Sequence, residues 1–179
     1  MNYIHSEKLV YWGLQRTGSR YIFECLKSVY VLEGHLTHQT RWDSEYADYA
    51  ILCGVRNPYW RVLSAWKWMN QVGSQRYCPD SFDDFVRRVI PGHVFPITIE
   101  LGSTIEKVDH FIRIESCEKD LKKIPSFPQD FEFPVNTYQS SYRLSPKEYY
   151  ADHRLADRIW DTYREDFETF GYARDSYKQ

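Results

Sequence analysis

The chain of 179 residues lacks a basic excess, its formal net charge being -2. General nucleic-acid binders normally carry a surplus of lysine and arginine, so no nucleic-acid partner is expected, and any anionic ligand must be held by a local cluster. Cysteines are few and scattered. Cys25, Cys53, Cys78 and Cys117 form no CxxC pair and show no metal-ligand spacing, which points to reduced, mostly buried thiols and to no metal. No apolar run is long enough to span a bilayer, and no leader-like segment precedes the first apolar stretch. A soluble, cytoplasmic protein without a membrane span is expected. There is no GxxxxGK[ST] run and no obvious Walker-B carboxylate, which speaks against a phosphate-loop kinase. Repeats, low-complexity tracts and linkers are absent too, and the length suits one domain over residues 1–179.

What is present is an ordinary globular balance: 42% hydrophobic and 27% charged residues exclude a disordered chain. The aromatic share of 17% falls inside periodic segments and is expected to form core. The chain is organised around Tyr11–Tyr21. Before this stretch turns, Leu9-Val10-Tyr11-Trp12 reads as a buried strand, whereas Met1–Lys8 reads as a polar lead-in. After the turn, Ile22, Cys25, Leu26 and Val29 recur at helical spacing. Between them Arg16, Thr17, Gly18 and Ser19 make a tight turn with one cation and two hydroxyls. A strand feeding a helix through such a turn aims backbone N–H groups and the positive end of the helix dipole at one point, which suits an anion. An ordinary strand-to-helix turn is the bland alternative.

Val29-Tyr30-Val31-Leu32 reads as a second strand, ending in the polar segment Glu33–His38. His35 and His38 are candidate general bases there, since imidazole titrates near neutrality and open α/β sheets place reactive groups beyond strand ends. Tyr49–Val55 is the most apolar strand, of the kind covered on both faces. It runs into Arg56-Asn57-Pro58, where Asn57 is placed to cap a helix and Pro58 to occupy its first position. That helix is expected to bury Val62, Trp66 and Met69. Its stripe Asn57, Arg61, Ser64 faces back toward Arg56, either as a second anion site or with Arg61 merely paired to a sheet carboxylate.

Further on, Ser81 and Asp84 bracket a helix start, with Phe82, Phe85, Val86 and Val89 as its buried face and Pro91-Gly92 as its stop. Val108–Glu115 reads as a strand, in which His110 is architectural. Ser145-Pro146-Lys147-Glu148 is a capping box, and Leu155, Ile159, Tyr163 and Phe167 form the buried stripe of the last helix. The stretch from Pro125 to Ser145 has no helical period, and loops of that length in small domains are usually functional.

Two anion sites on neighbouring strand ends suit a ligand with two separated phosphate-like groups, and here a resemblance enters. Arg16-Thr17-Gly18-Ser19 resembles the 5′-phosphosulfate loop of sulfotransferases that use 3′-phosphoadenosine 5′-phosphosulfate (PAPS). Val55–Ser64 is similar to that family's 3′-phosphate motif, an arginine followed eight residues later by a serine, matching Arg56 and Ser64. His93–Thr98 is similar to an HxxPQT-like segment of carbohydrate-type members, with Ile97 in place of Gln. Val108–Glu115 and Tyr163–Tyr172 resemble further family segments, so the likeness runs from residue 9 to about 172.

The resemblance implies a three-layer α/β/α fold with a small central parallel sheet, of the kind shared with phosphate-loop NTPases. It implies transfer of a sulfuryl group from PAPS to a hydroxyl acceptor, with carbohydrate favoured, leaving 3′,5′-adenosine bisphosphate and needing no metal. It gives Arg16 the leaving-group charge and His35, ahead of His38 or Glu33, the role of base. Nucleotide contacts fall to Arg16, Thr17, Gly18, Ser19, Arg20, Tyr21, Arg56, Ser64 and, in the late loop, Arg143. Arg20 stands where a second hydroxyl residue is usual. The chain is short for the family, so a homodimer could complete the acceptor cleft. A nucleotide-dependent small-molecule kinase and a non-catalytic nucleotide-binding relative are the competing readings.

Overall fold

The computed structural model describes residues 1–34, 47–71, 78–88, 90, 92–136 and 145–178. They fall into two compact units, Met1–Arg56 with Leu101–Gln139, and Asn57–Glu100 with Ser140–Gln179.

The first unit holds a four-stranded sheet in the order β1-β2-β3-β4: β1 (Asn2–Ile4), β2 (Leu9–Trp12), β3 (Ala50–Val55) and β4 (Val108–Arg113). The run Leu9–Trp12 forms its strand as its unbroken apolar pattern requires, and so does Ala50–Val55. β2, β3 and β4 are parallel neighbours, but β1 pairs antiparallel with β2, so the sheet is mixed rather than wholly parallel. The polar lead-in thus contributes an edge strand that its short, Asn-containing sequence did not signal. Conversely, Val29–Leu32 forms no strand. Helix α1 (Ser19–Lys27) closes there, with the Tyr30 amide still bonded to the Leu26 carbonyl, and only Glu33 returns to the sheet, in a single bridge to Tyr3.

One face of the sheet, Ile4, Leu9, Tyr11, Leu52 and Ile112, packs with Ile22, Cys25 and Leu26 of α1 and with Cys117 and Leu121 of α5 (Cys117–Leu121). β4 slips by one residue against β3: Ile51 faces Val108 and Leu52 faces His110. The skipped residue, Asp109, supplies the missing acceptor, its carboxylate taking the Ile51 amide at 2.8 Å. A bulge leaves one backbone donor unmet, and here a side chain meets it.

The second unit is helical: α2 (Pro58–Gln71), α3 (Phe82–Arg88), α4 (Ile97–Leu101, its last residue across the unit boundary), α6 (Pro146–Tyr149) and α7 (His153–Phe170). Asn57 caps α2 as its sequence position indicates, its side-chain oxygen accepting from the Tyr59 amide at 3.0 Å. Tyr59 is a hub of the core, its ring 4.9 to 5.1 Å from those of Phe167, Tyr150 and Tyr177. The Ser145–Glu148 capping box forms, and Leu155, Ile159, Tyr163 and Phe167 are all buried along α7. Val62 of α2 is buried, whereas Trp66 and Met69 are only partly covered.

Asp152 caps α7. It accepts the Arg154 amide at 3.0 Å and the Arg154 guanidinium at 2.8 Å, and these bonds hold its carboxyl down to about 2. Because this folded value lies below the unfolded one, near 4, the stabilisation is complete above that pH and is lost as pH falls toward 2. Thermal unfolding followed from about pH 5 to 2 should show this acid loss, and Asp152→Asn, which can still cap, should flatten it.

Candidate functional site

The site begins where β2 ends. Gly13 and Leu14 are buried, and the chain then turns through two left-handed residues, Arg16 (φ 63°) and Gly18 (φ 77°), into α1. Gly18 is the N-cap of α1 and offers no side-chain cap, so the first helical turn presents its amide end without a competing side-chain oxygen on the cap,. No acidic residue stands in that turn. Helix dipole and arginine charge therefore add rather than cancel.

Contacts fix the loop tightly. A Cβ on Gly18 would lie 2.4 Å from Cγ1 of Ile114, so this position is closed to any larger residue by packing as well as by backbone,. Gly54 of β3 serves the same loop: a Cβ there would meet the Tyr11 hydroxyl at 3.0 Å and the Thr17 hydroxyl at 3.2 Å. Thr17 is wholly buried and donates to the Leu14 carbonyl at 2.9 Å. This bond ties the turn back to the end of β2. The Tyr11 hydroxyl donates to the Ser19 carbonyl at 3.3 Å. Neither Tyr11, Gly54 nor Ile114 was legible as a site residue, since each reads locally as plain strand or core.

β3 discharges at the same end of the sheet as β2, because the two are parallel and in register. Arg56 follows β3 directly, and its Nη1 donates to the Arg16 carbonyl at 3.4 Å. Arg16 and Arg56, 40 positions apart in sequence, are thus brought together, both part-buried, with Arg20 exposed on the first turn of α1. Tyr21 does not reach into the loop with its hydroxyl, which donates instead to the Pro134 carbonyl at 3.0 Å.

Other expected residues stand elsewhere. Ser64 is on α2 in the second unit, half-buried. Arg61, on the same stripe, is 1% exposed and is engaged with Glu100 of α4 and the Phe95 carbonyl. It pairs with a carboxylate, as one of its two readings had it, but one on a helix rather than a sheet. Glu33 makes both backbone bonds with Tyr3, and its carboxylate lies 3.4 Å from His5. His35, His38 and Arg143 lie outside the described residues. Among the described residues no group of three or more His, Cys, Asp or Glu side chains could hold a metal ion, and no helix is long and apolar enough to cross a membrane.

The arrangement can bind an anion: an N-terminal helix turn and two guanidiniums at the carboxyl ends of two adjacent parallel strands, where open α/β sheets take their ligands. No protein-family model, curated protein or solved structure matches the chain.

Proposed function

We propose that the protein is a sulfotransferase that moves the sulfuryl group of PAPS to a hydroxyl acceptor, with carbohydrate as the acceptor class, on a three-layer, phosphate-loop-like α/β fold. The observation that carries this reading is the meeting of Arg56 with the Arg16–Gly18 loop at the α1 N-terminus. The residues that resemble the family's 5′-phosphosulfate loop and the arginine of its 3′-phosphate motif come from separate stretches of chain and share one end of the sheet.

In this reading the α1 amides and Arg16 hold the 5′-phosphosulfate, and Arg56 binds the 3′-phosphate. The acceptor oxygen attacks sulfur in line, the bond from sulfur to the bridging phosphate oxygen breaks, and the charge growing on that oxygen is met by Arg16 and the helix amides. The acceptor's proton passes to His35, with His38 or Glu33 as the alternatives. Positioning and electrostatics supply most of the rate in such group transfers. Ser64, Tyr21, Arg20 and Arg143 keep the nucleotide roles that the resemblance gives them. A homodimer completing the acceptor cleft and a cytoplasmic location belong to the same reading.

Separating binding from chemistry tests it. Titration with 3′,5′-adenosine bisphosphate should show Arg56→Ala losing at least about tenfold in affinity, the loss of one charge-assisted contact. His35→Ala should bind the bisphosphate normally and fail to transfer sulfate from PAPS. Normal turnover by His35→Ala would remove it as the base, and unaltered binding by Arg56→Ala would remove the 3′-phosphate assignment.

A further inference from the structure

A second group of reactive side chains stands at the other end of the sheet. The anion loop and Arg56 follow the carboxyl ends of β2 and β3, whereas Lys8 and Tyr49 precede the amino ends of the same two strands. His5 opens the short turn that follows β1. Its Nδ1 lies 2.7 Å from the Tyr49 hydroxyl, and its Nε2 lies 3.4 Å from the Glu33 carboxylate. A nucleophile within hydrogen-bond reach of a base, itself oriented by a third group, is the arrangement of activated nucleophiles. A proton on Nε2 faces Glu33 and leaves Nδ1 to accept from Tyr49, so the carboxylate selects the tautomer that a base requires.

The three members come from separate stretches of chain, and each is fixed locally. Glu33 exchanges both backbone bonds with Tyr3. The His5 ring is parallel to that of Tyr3 at 6.0 Å and edge-on to that of Tyr49 at 5.7 Å. Lys8 holds Tyr49 from both sides. Its ammonium donates to the Asp48 carboxylate at 2.7 Å, and its carbonyl accepts from the Ala50 amide at 2.8 Å. Lys8 does this from left-handed backbone, at φ 49° and ψ 48°. Among the described residues, the other non-glycine position with positive φ is Arg16 of the anion loop. Backbone strain of this kind collects at functional sites. The His5 and Glu33 side chains are 38% and 68% exposed and Tyr49 is half-buried, so the group is open to a small substrate.

We propose that Tyr49, His5 and Glu33 form a second reactive centre, which takes acyl groups from small carboxylic esters. The Tyr49 oxygen attacks the ester carbonyl carbon while its proton passes to Nδ1 of His5. The bond from that carbon to the leaving oxygen breaks, and the leaving oxygen takes the proton from His5. O-acyl-Tyr49 and an alcohol result. Water then attacks the acyl carbon and gives a proton to His5. The bond to Tyr49 breaks, the phenol oxygen takes that proton back, and a carboxylic acid is released. Tyr49 and His5 are the catalytic residues of this centre, and Glu33 is a positioning residue. The centre does not depend on the PAPS reading.

The test is to mix the full chain with p-nitrophenyl acetate, follow the release of nitrophenol, and locate the acetyl group by peptide mass spectrometry of early, acid-quenched samples. A burst of nitrophenol with the acetyl group on Tyr49 is the expected result. Tyr49→Phe should lose both burst and label while its unfolding midpoint stays near that of the unaltered chain. His5→Ala should acylate at least about a hundredfold more slowly, the usual share of a general base. Added imidazole should restore part of that rate, which a merely structural role for His5 would not allow. Glu33→Gln should slow acylation by roughly tenfold or more, with Glu33→Asp recovering part of the loss. Acetyl groups found only on lysines or the N-terminus, or equal labelling of Tyr49 in His5→Ala, would overturn the centre. An unchanged rate in Glu33→Gln would overturn the role of Glu33. Should His5→Ala fold poorly, the position of the label in the unaltered chain and its loss in Tyr49→Phe decide the matter.

Discussion

Gly18→Ala should lower stability by roughly 2 to 5 kcal/mol and remove the response to 3′,5′-adenosine bisphosphate. Two effects add. A left-handed φ of 77° at this position costs an L-residue about 1–2 kcal/mol. The new methyl would also stand 2.4 Å from Ile114 Cγ1 and 3.0 Å from its Cβ, so the branch point itself must shift, an overpacking of about 1–3 kcal/mol. Gly102→Ala is the matched control. Gly102 also has positive φ, at 52°, but nothing lies within 4 Å of the added carbon, so only the backbone cost of about 1–2 kcal/mol applies. Urea unfolding of both variants separates the terms. Equal losses would mean that the approach of Ile114 does not constrain the loop.

Arg61→Ala should be the most damaging change in the second unit, at about 3–5 kcal/mol, because it strands a carboxylate rather than removing a net gain. Arg61 is 1% exposed, and the Glu100 side chain that it meets is 18% exposed. Its other bond holds the Phe95 carbonyl. Nearby, the buried Asp166 carboxylate accepts the Ile97 and Thr98 amides, each at 2.8 Å, and the Thr98 hydroxyl at 2.9 Å. Burial pushes Asp166 upward despite these bonds, and the charge of Arg61 draws it back. Losing Arg61 thus loosens the start of α4 from two directions. For a chain of this length the midpoint of thermal unfolding should fall by about 6 to 20 °C. Arg61→Met combined with Glu100→Met should recover much of the loss, since an apolar pair of similar size replaces a buried ion pair at little cost. A double variant as unstable as Arg61→Ala would contradict this account.

Elements written in contiguous sequence were the legible ones. β2 and β3 are unbroken apolar runs, α2 announces itself with Asn-Pro after a strand, α6 with a capping box, and α7 with its stripe from Leu155 to Phe167. β1 was missed because three residues, one of them Asn2, carry no periodic signal, and only pairing with β2 makes them a strand. Val29–Leu32 was misread for the opposite reason. Its β-branched and aromatic residues suit a strand, but they follow directly on α1, whose last turn carries on to Tyr30 through its bond to Leu26.

In the site, the loop and Arg56 could be named from local chemistry, whereas the residues that hold them could not. Nothing local to Thr17 signals that its hydroxyl donates to the Leu14 carbonyl. Gly54 reads as one more small strand residue until Tyr11 and Thr17 are found against it. The carboxylates that serve distant amides are less legible still. Asp109 serves an amide 58 positions away and Asp166 one 69 positions away, separations that no short-range pattern encodes.

Thermal unfolding of the protein with 3′,5′-adenosine bisphosphate, set against ATP with Mg²⁺, is the most direct test of the central claim that the Arg16–Gly18 loop and Arg56 form a PAPS site. Ligand at about 100 times its Kd adds roughly 2.7 kcal/mol, which for this length is a rise of about 5 to 10 °C. The account predicts that rise with the bisphosphate, its absence with ATP and Mg²⁺, and its loss in Arg56→Ala. A rise with ATP and Mg²⁺ alone, or no rise with either, would contradict it.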